Sequence, residues 1–212
     1  MKIKLKERYD AVLTYLEKKT PQTDTELRFR NPFELLVAVV LSAQCTDQRV
    51  NIVTEKLFQE IPTPQKMSES DAETIFSYIR SISYPNSKSR YLAGLSKMLM
   101  ERFHGEVPTT TEELTQLPGV GRKTANVVQA IAFDKPAIAV DTHVFRVSHR
   151  LGLVHASANT PYKVEMELKK NIPTANWAPA HFWLLYHGRY TCTALHPKCS
   201  NCGLKQYCCK KD

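Results

Sequence analysis

Residues 117–128 read LPGVGRKTANVV and contain the strongest signal for the fold. Pro118 ends one helix, and the glycines of Gly119-Val120-Gly121 allow a tight turn with a close backbone approach. A second helix starts at once, with Thr124 in its first turn. Exposed N–H groups at the start of a helix can hold a phosphate. The stretch therefore predicts a helix–hairpin–helix that clamps a DNA backbone independently of sequence.

Gly121-Arg122-Lys123-Thr124 also resembles part of the phosphate loop of nucleotide-binding proteins. That motif requires a glycine directly before the lysine and a strand before the loop. Arg122 separates Gly121 from Lys123, and no strand is predicted upstream. A nucleoside triphosphate site is therefore excluded.

Lys123 and Asp141 are the candidate catalytic pair. The positive end of the helix dipole disfavours a cation at Lys123, which lowers the affinity of the amine for its proton, as a nucleophilic lysine requires. The alternative is a lysine that only contacts DNA. Asp141 precedes a helix and is by itself an ordinary N-cap. Because the apolar residues 138–140 lead to it, we expect its carboxylate to reach a partly desolvated cleft as general acid/base or cation stabiliser.

Helical patterns dominate the rest of the chain. Tyr9, Val12, Leu13 and Leu16 form the stripe of an amphipathic helix. Asn31-Pro32 is typical of an N-cap followed by proline at N1. The run 35–41 is apolar all round, so it is expected to be central to the core. A buried strand is the alternative, and the cap signal favours a helix.

Further starts and ends indicate about ten helices in all. The additional helices are expected from Asp47 as an N-cap, from Ser70 or Asp71 to Ile82, and over about 87–103, 111–118, 121–133, 142 onward, 160–172 and 179–187. Residues 137–140 tolerate a strand but are isolated. The sequence therefore predicts an all-α fold, with a candidate domain boundary near residues 134–136.

Five of the six cysteines lie in the last twenty-one residues. Cys192, Cys199, Cys202 and Cys208 have the spacing C-x6-C-x2-C-x5-C, which predicts a metal centre in a reducing compartment. Only one short knuckle is present, so the spacing favours an iron–sulfur cluster over zinc. Cys209 is an alternative fourth ligand. Cys45 is expected to be a small core or pocket residue.

The formal net charge is +8 and the isoelectric point is near 9.2, which favours a nucleic-acid partner. The charged start of the chain has no apolar run behind it, so no signal peptide is expected. The longest apolar run is too short to span a bilayer, and no membrane partner is expected.

Nearly the whole chain resembles endonuclease III, the family of helix–hairpin–helix DNA glycosylases with an iron–sulfur cluster. The resemblance rests on the hairpin, the cysteine spacing and the following shorter stretches: residues 32–36, 41–44, 86–88, 105–108, 140–143 and 187–190. It implies a six-helix barrel domain with the hairpin over 24–135. It also implies a second helical domain, formed by 1–23 and 136–212, that carries the cluster loop.

The resemblance also implies roles for individual residues. Lys123 matches the family's Schiff-base lysine, Asp141 its catalytic aspartate and Gln44 the residue that fills the gap left by an extruded base. The four cysteines match the ligands of a [4Fe–4S] cluster. The residues expected to contact DNA are Gln44, Tyr84, Leu117, Gly119, Val120, Gly121, Arg122, Thr124, His143 and Lys198.

Two stretches depart from the family pattern. Residues 83–86 read Ser-Tyr-Pro-Asn where the family more often has Gly-Leu-Tyr-Asn, so Tyr84 is expected to replace a wedging leucine. Leu195 and His196 lie in a loop that usually carries more basic residues, which leaves Lys198 as its basic residue.

The implied function is base excision repair by a bifunctional DNA N-glycosylase and AP lyase. It would flip out an oxidised pyrimidine, remove the base through a Lys Schiff base and cut the strand by β-elimination. The implied partner is double-stranded DNA with damaged bases or abasic sites, bound by a monomer in the bacterial cytoplasm at the nucleoid. The alternatives are a monofunctional mismatch glycosylase, disfavoured by Lys123, and a non-catalytic DNA-binding module.

Overall fold

The computed structural model describes residues 3–20 and 23–209. Within these residues the regular structure consists of eleven α-helices, short 3₁₀ turns and one π-helical turn, with no strand. The chain divides into two compact units, Thr25–Asp134 and the combination of Met1–Asp24 with Lys135–Asp212. The all-α fold predicted from the sequence is confirmed.

The helices have the following bounds in chain order. They are α1 (Leu5–Lys19), α2 (Pro32–Ser42), α3 (Asp47–Glu60), α4 (Pro64–Glu69), α5 (Ala72–Ile79), α6 (Pro85–Phe103), α7 (Thr111–Leu114), α8 (Arg122–Ala132), α9 (Thr142–Arg150), α10 (Pro161–Asn171) and α11 (Trp177–Tyr186). None of the helices described here has the length and apolar character needed to cross a membrane.

Helix α2 is the centre of the unit Thr25–Asp134. The Asn31 side chain accepts a hydrogen bond from the N–H of Glu34 at 2.9 Å, and Pro32 occupies the first turn. Every residue from 33 to 41 is buried, and α2 packs against α3, α6 and α8. The carboxylate of Glu34 is buried with them and is neutralised by the Arg30 guanidinium at 2.6 Å. The prediction of a central apolar helix is therefore confirmed.

The bounds of α3 and α5 differ from the sequence predictions, and one further helix was not predicted. Thr46, not Asp47, caps α3, because its hydroxyl accepts from the N–H of Arg49 while Asp47 is already helical. Helix α5 ends at Ile79, and Ile82 is buried in the turn that follows. Helix α4 was missed, although its start has a hydroxyl cap followed by proline, at residues 63 and 64.

The hairpin lies between α7 and α8. Its first helix ends at Leu114, earlier than the predicted end at Pro118, and a turn follows through Gly121. Gly119 has φ +78°, and the N–H of Val120 bonds to the carbonyl of Leu117 at 3.1 Å. A Cβ on Gly119 would lie 2.8 Å from Tyr91 of α6. The turn therefore requires glycine at this position, both for its backbone angle and for its close packing.

The second unit is built around α11. Helix α11 is apolar on all sides and buried from Ala180 to Tyr186, and it packs against α1 and α9. The predicted stripe on α1 is buried, and the Tyr9 hydroxyl donates to the carbonyl of Leu153 at 2.6 Å. After α11 the chain continues as a π-helical turn, His187–Thr191, into the cysteine-rich segment.

Gly119→Ala is expected to lower the free energy of unfolding by about 2 kcal/mol or more, because an alanine is strained at positive φ and its methyl group meets Tyr91. Gly121→Ala is the matched control, since φ there is −90° and nothing lies within 4 Å of the added carbon. We expect a change below about 1 kcal/mol for the control. Urea denaturation measures both variants, and equal losses would contradict this description of the turn.

Candidate functional site

The start of α8 presents a polar surface. Gly121, Arg122 and Lys123 are exposed and Thr124 is half-buried. No side chain caps the helix at Gly121, so its first N–H groups are of the kind that hold an anion.

Two other residues of the hairpin, Leu117 and Val120, are buried. Leu117 is 2% exposed and Val120 is 5% exposed. Their side chains belong to the core of the hairpin. Any contact that these two residues make with DNA must therefore come from the backbone.

Asp141 lies at the start of α9, at the end of a buried segment. Residues 137–140 are all buried, and the imidazole Nδ1 of His181 lies 2.7 Å from the carbonyl oxygen of Ala139. Oδ1 of Asp141 accepts from the N–H groups of His143 and Val144 at 2.9 and 2.8 Å. The carboxylate is thus held in one orientation and is only half-buried. His143, which is also half-buried, is the second residue of α9.

Gln44 and Tyr84 form a second pair of exposed residues, in the unit Thr25–Asp134. Both have left-handed backbone angles, with φ +54° and +56°, and Tyr84 is 64% exposed. Positive φ is uncommon for residues other than glycine and is strained for a bulky one. The Ser83 hydroxyl donates to the carbonyl of Gln44 at 2.7 Å, so the two predicted DNA contacts lie on adjacent, connected loops.

The four predicted ligand cysteines surround one cavity of about 100 Å³. Each of them is half-buried. The other residues that line the cavity include His187, Pro197 and the exposed Lys198. Four thiols around one cavity are the donor set of an iron–sulfur cluster.

The electrostatics of this cavity follow from its burial. Burial raises the pKa of the Cys202 thiol, and the charges of the other three cysteines act in the same direction. Burial also lowers the pKa of His187 to about 4, so this imidazole is neutral at neutral pH. Its Nε2 lies 3.8 Å from the Cys202 sulfur.

The other two cysteines lie elsewhere. Cys209 is exposed and does not line the cavity; its N–H bonds to the carbonyl of Arg150 at 2.6 Å. Cys45 belongs to the other unit, in the loop after α2. Over residues 3–20 and 23–209, no group of three or more His, Cys, Asp or Glu side chains is placed so that it could hold a single metal ion.

Three arginines hold the cysteine-rich segment in place, a role that no sequence pattern indicated. Arg146 donates to the carbonyls of Gly188 and Cys192. The partners of Arg150 and Arg8 are the carbonyls of Thr193, Ala194, Leu151 and Tyr207 and the sulfurs of Cys192 and Cys209. Guanidinium groups on α1 and α9 thus supply additional donors to the backbone carbonyls of this irregular segment.

Comparison with known proteins places this arrangement in a family. Residues 37–174 match the model of the HhH-GPD superfamily base excision DNA repair proteins. Endonuclease III of Treponema pallidum (strain Nichols) is 48% identical over 202 residues, which cover 95% of this chain and 95% of that protein. Endonuclease III of Escherichia coli (strain K12) is 45% identical over 197 residues, which cover 93% and 92%.

A solved structure agrees with these relatives. It is described as a trapped endonuclease III–DNA covalent intermediate, an estranged-adenine complex. The TM-score is 0.94 at 45% identity, and the match covers 98% of this chain and 97% of that chain. The chain therefore belongs to the endonuclease III family, within the HhH-GPD superfamily of base excision DNA repair proteins.

Proposed function

We propose that this protein removes oxidised pyrimidines from double-stranded DNA and then cuts the strand at the resulting abasic site. The likeness over almost the full chain to a protein that was captured in covalent linkage with DNA is the observation that carries the proposal. The protein is a bifunctional DNA glycosylase and AP lyase of base excision repair. Its net charge of +8 suits a polyanionic partner.

Lys123 is the proposed nucleophile. It is exposed in the first turn of α8, beside a glycine turn whose N–H groups suit a phosphate. Its amine attacks C1′ of the flipped nucleotide, the base leaves, and a Schiff base remains on the sugar. β-Elimination from this intermediate breaks the strand on the 3′ side.

Asp141 is the proposed partner of Lys123. Its carboxylate handles protons and stabilises positive charge that develops on the sugar. The two N–H bonds to Oδ1 fix the orientation of this carboxylate before any substrate arrives. Such preorganisation is the usual source of electrostatic stabilisation in enzymes.

We further propose that Cys192, Cys199, Cys202 and Cys208 hold a [4Fe–4S] cluster. The support is the shared cavity and the four-thiol donor set. When bound, such a cluster supplies a structural cross-link and a redox centre, and the base-excision chemistry does not need it. Because Cys208 lines the cavity and Cys209 does not, Cys208 is the proposed fourth ligand.

Lys123→Ala is expected to abolish covalent trapping by borohydride on abasic DNA, because no amine remains to form the Schiff base. Lys97→Ala, which removes an exposed lysine from α6, is the control and should trap normally. Gel electrophoresis of the reduced adducts measures both. Trapping by Lys123→Ala at the native level would remove Lys123 from the mechanism and would favour a non-catalytic role for the hairpin lysine.

Asp141→Asn is expected to slow base release roughly 10²–10⁴-fold while leaving the protein folded. Asparagine caps a helix as well as aspartate does, so the melting temperature should stay close to that of the native protein. Single-turnover release of a damaged base from duplex DNA measures the rate. A native rate would show that the carboxylate acts only as a helix cap.

Cys208→Ser is expected to lose the cluster, whereas Cys209→Ser is expected to retain it. Native protein and Cys209→Ser should contain about four iron atoms per chain and absorb visible light. Metal analysis and absorption spectroscopy test this directly. Equal loss of iron in the two variants, or zinc in place of iron in the native protein, would contradict the ligand assignment.

A further inference from the structure

At the end of α2 and the start of the following loop, backbone carbonyl groups have no acceptor role within the helix. The last carbonyls of any helix need donors from outside the helix. Here the ammonium group of Lys88 donates to the carbonyl of Leu41 at 2.8 Å and to that of Ala43 at 2.6 Å. These are charge-assisted bonds at a helix C-terminus, where a cation is favoured.

The next carbonyl along the loop has a donor as well. The carbonyl of Gln44 accepts from the Ser83 hydroxyl at 2.7 Å. Lys88 and Ser83 together therefore satisfy carbonyls on both sides of the strained Gln44 backbone. A glycine at position 83 would have no hydroxyl and would lack the second bond.

Lys88 also connects the two loops to each other. It lies in the first turn of α6, and its own N–H bonds to the carbonyl of Tyr84 at 3.1 Å. The residue is only 5% exposed, and burial lowers the pKa of its amine. A buried lysine is costly unless its charge is well solvated by fixed groups. One side chain thus joins the backbone on which Tyr84 sits to the backbone on which Gln44 sits.

We propose that Lys88, assisted by Ser83, is a positioning residue that holds Gln44 and Tyr84 in their left-handed conformations, ready to enter the duplex. The inference rests on the proposed function and on the two roles expected from the sequence, with Gln44 filling the gap left by an extruded base and Tyr84 replacing a wedging leucine. Two connected loops that are already in the binding conformation lose less conformational entropy when DNA binds. The benefit applies to duplex DNA, where bases must be separated, and not to single strands.

The test compares Lys88→Met and Ser83→Ala with two matched controls, Lys97→Met on the exposed part of α6 and Ser81→Ala just before the loop. Each protein is titrated with two forms of DNA. The first is a single strand that contains a tetrahydrofuran analogue of an abasic site. The second is the duplex of that strand, with 2-aminopurine opposite the analogue. The Kd ratio between single strand and duplex is measured by titration. The fluorescence of 2-aminopurine reports whether the opposite base is unstacked.

We expect Lys88→Met to reduce the preference for duplex about tenfold, equivalent to about 1.4 kcal/mol, and Ser83→Ala to reduce it about threefold, as one neutral hydrogen bond allows. The fluorescence at saturating protein should fall in the same order. A residue that only stabilises the fold would weaken both DNA forms equally and leave the ratio and the fluorescence unchanged. The controls should stay within about twofold of the native protein.

An unchanged ratio and unchanged fluorescence in Ser83→Ala and in folded Lys88→Met would overturn the inference. If Lys88→Met does not fold, Ser83→Ala decides the question alone, because its hydroxyl bond lies at the surface. Failure of the proposed function has a separate sign: native protein would then form no borohydride adduct with abasic duplex DNA, whatever the binding ratios of the Lys88 and Ser83 variants.

Discussion

The position of the candidate site on α8 follows from the turn at Gly119. Its positive φ and the contact with Tyr91 leave no room for a side chain, so the direction in which the chain enters α8 is fixed. One side of α8 is then buried, at Ala125, Val127 and Val128, and α8 packs on α2. Lys123 and the first N–H groups of the helix consequently face outward. A packing constraint in the core thus leaves the amine of Lys123 exposed.

The same principle appears at the other candidate sites, where irregular backbone is held by buried or half-buried charges. Arg8, Arg146 and Arg150 satisfy the carbonyls of the cysteine-rich segment. Lys88 does the same for the loop that carries Gln44. In each case a long cationic side chain from a regular helix supplies donors that secondary structure does not provide. The cysteine-rich segment and the Gln44 loop are irregular, and side chains from neighbouring helices hold both of them.

The helix starts, the hairpin and the helix cap at Asp141 could be predicted from the sequence, because each depends on residues that are close together in the chain. Asn31-Pro32 gave the start of α2, the Gly119 turn gave the hairpin, and Asp141 gave the cap of α9. The missed features depend on contacts that are distant in sequence. Nothing near Lys88 indicates that its amine reaches the carbonyl of Leu41, forty-seven residues earlier. The hairpin motif contains both buried and exposed residues. The motif alone could not show that the side chains of Leu117 and Val120 are buried, because their burial depends on packing.

The claim that the amine of Lys123 bonds to the sugar is tested most directly by locating the bond. Native protein is reduced with borohydride while it acts on abasic DNA, the adduct is digested with a protease and nuclease, and the modified peptide is sequenced by mass spectrometry. We expect the sugar remnant to be attached to the side chain of Lys123. A remnant attached to any other lysine or to the chain's amino terminus would contradict it.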